Sequence, residues 1–122
     1  MKNLICLLLF LVSSALTAQS KIKFSDPKKN FGFVKKGEKV NLQYEFTNEG
    51  DQPLLITEAK AECSCTTVNW PKEPIAPKQK GIITVIFDTS PTYDRQDRTV
   101  EVFSNAPGSP NKIRFKGVVL TK

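Results

Sequence analysis

The sequence predicts an all-β domain, a two-sheet β-sandwich of about seven strands, preceded by a cleavable signal peptide. Short segments rich in β-branched and aromatic residues recur along the chain, and eight prolines and six glycines separate them. No stretch repeats its apolar residues at helical spacing. Strands this short bury their apolar faces most simply when two sheets pack face to face, which is why a sandwich is expected.

The first residues indicate export. Residues 1–3 form a short basic start, residues 4–12 an unbroken apolar run, and residues 13–20 a region of mostly small side chains. This three-part layout is typical of a secretory signal peptide. The run is shorter than the roughly 20 residues that a membrane-spanning helix needs, so we expect a signal rather than a membrane span.

We expect cleavage after Ala18, with Ser20 as the second choice. The predicted domains are a signal peptide, 1–18, and one β-sandwich domain, 19–122. Cys6 leaves with the signal and does not stand where a lipid-anchored cysteine would. Because the chain has no other long apolar run, we expect a periplasmic or secreted protein without an anchor or a membrane span.

The predicted strands follow one another at short intervals. They are residues 21–24, 30–34, 40–46, 54–61, 82–87, 99–103 and 112–120. Segment 40–46 is the clearest, because apolar and polar residues alternate along it and so predict one buried and one wet face. Segment 82–87 is apolar on both faces, which predicts a strand in the middle of its sheet.

Turn residues separate these strands. Segments 35–38, 48–53 and 104–110 contain the glycine, asparagine and proline residues that favour turns. Segment 71–74 holds two prolines, which remove backbone donors and predict a loop. Segment 88–98 is polar and contains a proline, so it is predicted to be a long loop or a poor edge strand.

The charge is positive but dispersed. The formal net charge is +6, and removal of the signal, whose only charged residue is Lys2, lowers it to +5. Because no basic block exceeds two residues, nucleic acid is not expected as a partner. Weak attraction to anionic cell surfaces fits less well than a second interpretation, in which the lysines keep strand edges from pairing with each other.

The sequence does not favour catalysis. The chain has no histidine, and its only methionine is Met1, so the usual general base and the commonest metal ligand are missing. No pattern brings two carboxylates together, and residues 94–98 are interpreted as a self-paired surface loop. We therefore predict no enzyme activity and no cofactor.

Cys63 and Cys65 are the cysteines of the mature chain, and three interpretations are open. The first is a disulfide, which an oxidising compartment favours; residues two apart on a strand are about 6.6 Å apart, so the chain would have to bend. The second is two free thiols packed as small core residues. The third is a functional thiol pair, either a redox couple or a copper(I) or zinc site. Zinc would need further ligands from Glu62 and water, or from a second chain.

The only tryptophan stands in the proline-containing loop that follows the cysteines. We expect Trp70 to anchor this loop against the core rather than to stack on a ligand. If its ring is exposed, the loop is the best candidate for a contact with a partner. The candidate contact residues are Trp70, Pro71, Lys72 and Glu73.

Several segments, in this order and spacing, resemble a bacterial family known as domain of unknown function 1573. They are FGFVKKGE (31–38), YEFTNEGDQPL (44–54), CSCT (63–66), WPKEPI (70–75), GIITVIF (81–87) and FSN (103–105). The resemblance implies an immunoglobulin-like sandwich, similar to domains of pilus chaperones, major sperm protein and ciliary scaffold proteins. It also implies an exported protein with no established activity. Ser64 and Lys78 stand where glycine is common in the family.

These features predict an exported, non-enzymatic, immunoglobulin-like module that binds or scaffolds other proteins of the cell envelope. The expected contact sites are residues 63–75 and an open sheet edge, to which a partner strand could add. The alternative is a thiol-based metal-binding or redox protein of the periplasm, centred on Cys63 and Cys65. The sequence assigns neither a particular partner nor an oligomeric state.

Overall fold

A computed structural model describes residues 19–121. The predicted signal peptide, 1–18, lies outside the described residues. Within them the chain forms eight strands and no helix that could cross a membrane, and the predicted all-β class is confirmed. The strands are β1 (Ile22–Phe24), β2 (Lys28–Lys35), β3 (Lys39–Asn48), β4 (Ile56–Ala61), β5 (Thr66–Asn69), β6 (Lys80–Asp88), β7 (Asp94–Ser104) and β8 (Asn111–Leu120).

The strands form two four-stranded sheets. Sheet I has the order β1-β3-β6-β5, and sheet II has the order β2-β8-β7-β4. Neighbouring strands are antiparallel except β2 and β8, which are parallel. The chain therefore begins at an edge of sheet I and crosses at once to an edge of sheet II. The predicted two-sheet sandwich is confirmed.

The alternation of apolar residues along the strands determines the core. On β3, Tyr44 and Phe46 are fully buried, whereas the alternating polar residues Asn41, Gln43 and Glu45 are exposed, as predicted. β6 lies between β3 and β5, as its apolar composition predicted. Its residues Ile83, Val85 and Phe87 are also fully buried.

An aromatic cluster joins the two sheets. Phe31 of β2, Phe87 of β6 and Phe115 of β8 have ring centroids 5.2 to 6.4 Å apart, in tilted arrangements that favour aromatic pairs. Gly117 on β8 makes this packing possible, because a Cβ atom there would overlap the ring of Phe31. Phe31 therefore fixes β2 against the core.

The number of strands differs from the prediction of about seven. The strand predicted over 54–61 ends at Ala61, and a bend and a turn follow it. The additional strand is β5, which starts at Thr66 in the other sheet, in a β-prone segment outside the seven predicted strands. The bend and turn arise because residues 62–65 carry the chain from sheet II to sheet I.

The prediction of a loop over 88–98 is wrong for its second half. β7 begins at Asp94 and pairs with β8 in the interior of sheet II. The interpretation of 94–98 as a self-paired loop is wrong as well, because Asp97 forms its ion pair with Arg114 of β8. Polar residues are tolerated here because their side chains find partners: Gln96 donates to the Tyr93 carbonyl and accepts from the Arg98 guanidinium.

Candidate functional site

The two cysteines lie where the chain leaves sheet II for sheet I. The backbone amide of Thr66 donates to the carbonyl of Cys63 over 3.1 Å and closes a turn. This turn brings the two cysteine Cα atoms to 5.1 Å, and a disulfide joins Cys63 to Cys65. The structure thus contains the bend that the spacing required, and it forms the first of the three predicted arrangements.

The turn that holds the disulfide packs against the core at Cys65 and is exposed to solvent at its tip. Cys65 is partly buried and packs against the core, and its carbonyl accepts a hydrogen bond of 2.9 Å from the amide of Asp88. Ser64, at the tip of the turn, is exposed. Among residues 19–121, no three histidine, cysteine or acidic side chains are grouped closely enough to hold a metal ion. A metal site at Cys63 and Cys65 would require reduction of the disulfide first, because thiolates are the metal ligands.

The tryptophan loop begins where β5 ends. Trp70 is partly buried and packs against the core, as expected of an anchor. The ammonium group of Lys72 lies over the indole, 3.1 Å from the ring centroid, within the range of a cation–π interaction. At the far end of the loop, Ile75 and Leu54 exchange backbone hydrogen bonds of 2.8 and 2.9 Å. Lys72 and Glu73 are exposed and Pro71 is partly buried. The loop therefore exposes its charged tip more than its indole.

A further candidate surface lies on the outer face of sheet II beside the edge strand β2, where the sequence predicted an open sheet edge without locating it. Phe33 of β2 is 74% exposed. It lies beside a trough of about 500 Å³ that crosses from β2 to β7, which we call the β2 trough. Its lining includes Asn30, Phe33, Arg95, Asp97, Lys116 and Val118.

A β-bulge creates this surface. Asn30 pairs with Lys116 and Gly32 pairs with Gly117, so Phe31 is an extra residue without an opposite partner. Gly32 has a φ of +76°, which glycine adopts readily, and its amide donates to Oδ1 of Asn30 over 2.8 Å. Simple alternation would place Phe31 and Phe33 on the same face. The bulge directs Phe31 inward and leaves Phe33 outside; the glycine between them is the only signal in the sequence that could have indicated it.

The surface around the β2 trough carries more basic than acidic groups, and its acidic groups are already in ion pairs. Lys29 lies 3.6 Å from Asp26. Asp97 forms a bidentate hydrogen-bonded pair with Arg114, which lowers the pKa of the carboxyl group and raises that of the guanidinium. By contrast, Lys28, Lys35, Arg95 and Lys116 form no ion pair with any residue in the described part of the chain. These four side chains leave a net positive charge at the β2 edge and trough.

Similar folds occur in several solved structures. A protein of unknown function from Porphyromonas gingivalis W83 has a TM-score of 0.74 at 18% identity, with 88% of this chain and 51% of that chain covered. The ASH/PapD-like domain 7 of human CEP192 gives 0.70 at 8% identity, with 91% and 94% covered. The YadV chaperone gives 0.53 at 17% identity, with 83% and 52% covered. At these identities the likeness shows the fold alone, and this chain spans about half the length of the Porphyromonas protein. No curated protein matches the chain in sequence.

The sheet order and these neighbours define the class of the domain: it is an immunoglobulin-like β-sandwich whose fold is similar to that of PapD-like domains. The model of a family described as "Protein of unknown function (DUF1573)" matches residues 22–119, and the chain belongs to this family. The resemblance found in the sequence is therefore confirmed.

Proposed function

We propose that the protein is an exported, non-enzymatic immunoglobulin-like module that binds another protein of the cell envelope. The observation that carries this proposal is the exposure of Phe33 on the edge strand of sheet II. Open strand edges and exposed aromatic side chains are features that proteins use to bind one another. The similar YadV protein is a chaperone by name, which favours a protein partner.

The contacts at the start of the described fold favour the first of the two expected cleavage sites. The carbonyl of Gln19 accepts a hydrogen bond of 2.9 Å from the amide of Asp51. Ser20 is buried, and its hydroxyl lies 3.2 Å from Oδ1 of Asn105. Cleavage after Ala18 would keep both contacts, whereas cleavage after Ser20 would remove them, so we favour Ala18. The disulfide fits an oxidising location, periplasmic or secreted.

A non-enzymatic role is supported by the causes of the shifted pKa values. Burial is the main cause that raises the pKa of Tyr44, and its hydroxyl is engaged by the Arg114 carbonyl. The pKa of Asp88 is lowered chiefly by its hydrogen bonds to Ser90. Together with the Asp97–Arg114 pair, these are structural contacts rather than groups directed at a substrate.

Cross-linking in the native host tests the proposal. A photoreactive residue would be placed at Phe33 or at Glu73, with a control at Lys112, which is also exposed. We expect a discrete protein to be captured from at least one of the first two positions and not from the control. The proposal fails if neither position captures a protein and co-purification from the envelope recovers none.

A second candidate function is thiol–disulfide exchange at Cys63 and Cys65. It is favoured by the short separation of the cysteines, two positions in the sequence. So small a loop restricts the unfolded chain little, so the disulfide adds little stability. In this reaction a partner thiolate attacks one cysteine sulfur, and the S–S bond breaks to release the other as a thiolate. A Cys63→Ser variant has no internal disulfide, so its Cys65 thiolate should attack the disulfide of an oxidised partner, release one partner sulfur as a thiolate and stay joined to the other in a mixed disulfide. Failure to trap this species would remove the candidate.

A further inference from the structure

The open edge of β2 presents backbone groups that a further strand could use. β2 pairs with β8 on one side only. The carbonyl of Pro27 and the amide of Lys36 both bond to β8. Successive residues of a strand direct their backbone N–H and C=O groups to opposite sides. The residues of β2 that alternate with Pro27 and Lys36 therefore direct these groups to the open edge. Allowing for the bulge, these include Asn30 and Phe33.

Apolar side chains lie beside this edge. Phe33 is 74% exposed and pairs in register with Val118 of β8, which is only partly buried. An aromatic side chain left in water on an open strand edge is a liability for association unless something covers it. An added strand would place its own apolar side chains against Phe33 and Val118 and remove that surface from water.

The charges determine which strand could add. β2 has the sequence KKNFGFVK, with three lysines and no acid. Arg95 and Lys116 line the adjoining trough. The single acidic residue of the trough, Asp97, forms an ion pair with Arg114. A second copy of this chain would bring the same lysines against one another, which is unfavourable. An acidic strand would instead neutralise them.

From these observations we propose that the β2 edge and trough are the docking site for an extended, acidic segment of a partner protein, which adds as a strand beside β2. The inference rests on the proposed function and names the site and the chemistry of the partner. Main-chain hydrogen bonds to Asn30 and Phe33 supply part of the affinity, and apolar contact with Phe33 supplies another part. Attraction between the partner's carboxylates and Lys28, Lys35, Arg95 and Lys116 selects the partner.

The same lysines have a second effect that is compatible with docking. Lysine on an open edge prevents pairing with unrelated or identical strands. The same lysines can therefore disfavour basic or neutral strands and favour acidic ones. An experiment distinguishes the two roles: if the lysines only prevent strand pairing, an acidic strand will not bind either.

The test uses the mature protein and a blocked synthetic peptide of eight residues, the length of β2. Its sequence repeats Val-Val-Glu-Glu, so each face of the extended peptide presents both valine and glutamate. A peptide with lysine in place of glutamate is the control. We expect the acidic peptide to bind, to slow hydrogen exchange at the amides of Asn30 and Phe33, and to bind more weakly as salt is added.

Substitutions locate the contact. Phe33→Ser should weaken binding of the acidic peptide about tenfold, the effect expected from losing one buried aromatic contact. Lys116→Glu should weaken it further and reduce the salt dependence. Ile82→Ser is the matched control, because Ile82 is 46% exposed and lies in sheet I. That variant should bind as the unchanged protein does.

Several results would overturn the inference: no binding of the acidic peptide, equal binding of the lysine peptide, protection only at β4 or β5, or equal weakening by Ile82→Ser. Binding to vesicles of anionic phospholipid without binding to the peptide would overturn it in favour of a membrane surface. If the peptide fails but cross-linking from Glu73 alone still captures an envelope protein, the docking site is wrong and the proposed function stands. If capture fails too, both are wrong.

Discussion

The hydroxyl of Tyr44 on β3 donates a 2.8 Å hydrogen bond to the backbone carbonyl of Arg114 on β8, and so links sheet I to sheet II through the core. Tyr44 is fully buried. A buried hydroxyl is stable only with a partner, and here the partner belongs to the central strand pair of the opposite sheet. The bond therefore helps to fix how the sheets that carry the candidate surfaces face each other.

Removal of this hydroxyl should destabilise the domain. We expect Tyr44→Phe to lower the free energy of unfolding by about 1–3 kcal/mol, because the Arg114 carbonyl is left without that donor. Urea denaturation followed by circular dichroism measures the change. Tyr93→Phe is the matched control and should be nearly neutral, since Tyr93 is exposed. Equal effects of the two substitutions would show that the bond contributes nothing.

The same residue predicts a loss of stability in alkali. Burial raises the pKa of Tyr44 above its ordinary value of 10.0. A raised folded-state pKa contributes stability that is complete below the unfolded value and is lost as the pH rises above it, because only the unfolded chain then releases the proton. The stability difference between the unchanged protein and Tyr44→Phe should therefore shrink above pH 10. Urea midpoints that stay equally far apart on both sides of this pH would contradict the prediction.

Asn48 should be among the least replaceable residues. It is fully buried, and its Oδ1 accepts from the amides of Lys21 and Gly50 at 3.3 and 3.0 Å. Its Nδ2 donates to the carbonyls of Gln52 and Ile75 at 2.7 and 3.0 Å. Because Asn48→Ala leaves several of these groups unpaired, we expect a cost of about 3 kcal/mol or more in urea denaturation.

The control for Asn48 lies on the exposed face of the same strand. Asn41→Ala should cost less than about 0.5 kcal/mol, as surface substitutions usually do. If Asn48→Ala lowers the free energy of unfolding as little as Asn41→Ala does, the hydrogen bonds of Asn48 to Lys21, Gln52 and Ile75 do not stabilise the fold.

Lys78 has a backbone conformation that favours glycine. Its φ is +67°, in the left-handed region that costs a non-glycine residue about 1 kcal/mol. Its Nζ also donates to the carbonyl of Glu49 over 2.6 Å. Lys78→Ala removes that bond and keeps the strain, whereas Lys78→Gly removes both. We expect the glycine variant to be more stable than the alanine variant by about 1 kcal/mol in thermal or urea unfolding; equal stabilities would argue against strain at this position.

The disulfide should contribute little to stability. The loop that it closes is short, because the cysteines are two positions apart. Loop-closure entropy for so short a loop corresponds to about 1.5 kcal/mol. Replacement of both Cys63 and Cys65 by serine should lower the free energy of unfolding by no more than this, and reduction of the unchanged protein should have the same effect. Unfolding of the double variant at room temperature would show that the bond is essential to the fold.

Much of the fold follows from residue alternation. The buried face of β3 was predictable because apolar and polar residues alternate strictly from Val40 to Phe46. The central place of β6 followed from its two apolar faces. The strands could be predicted where burial on one face dominates, because such a pattern is local and visible in one chain segment.

Features that depend on distant partners could not be predicted. Asp94 to Arg98 resembles a polar loop until Arg114 and the other residues of β8 are placed beside it. The exposure of Phe33 depends on a bulge that is defined only against β8. The turn at Cys63 to Cys65 depends on the crossing between sheets. In each case the cause is a contact between segments far apart in sequence.

The most direct test of export and partner binding is the intact mass of the protein isolated from the envelope of its own host, recorded under native conditions and again after denaturation. We expect a native complex with a protein partner. After denaturation we expect a chain that begins at Gln19 and is two hydrogens lighter than the reduced form. A chain that still carries residues 1–18, or a native mass with no protein partner, would show that the proposed function is wrong. A reduced chain with a thiol-bound metal that is lost on denaturation would contradict it in favour of a metal site at Cys63 and Cys65.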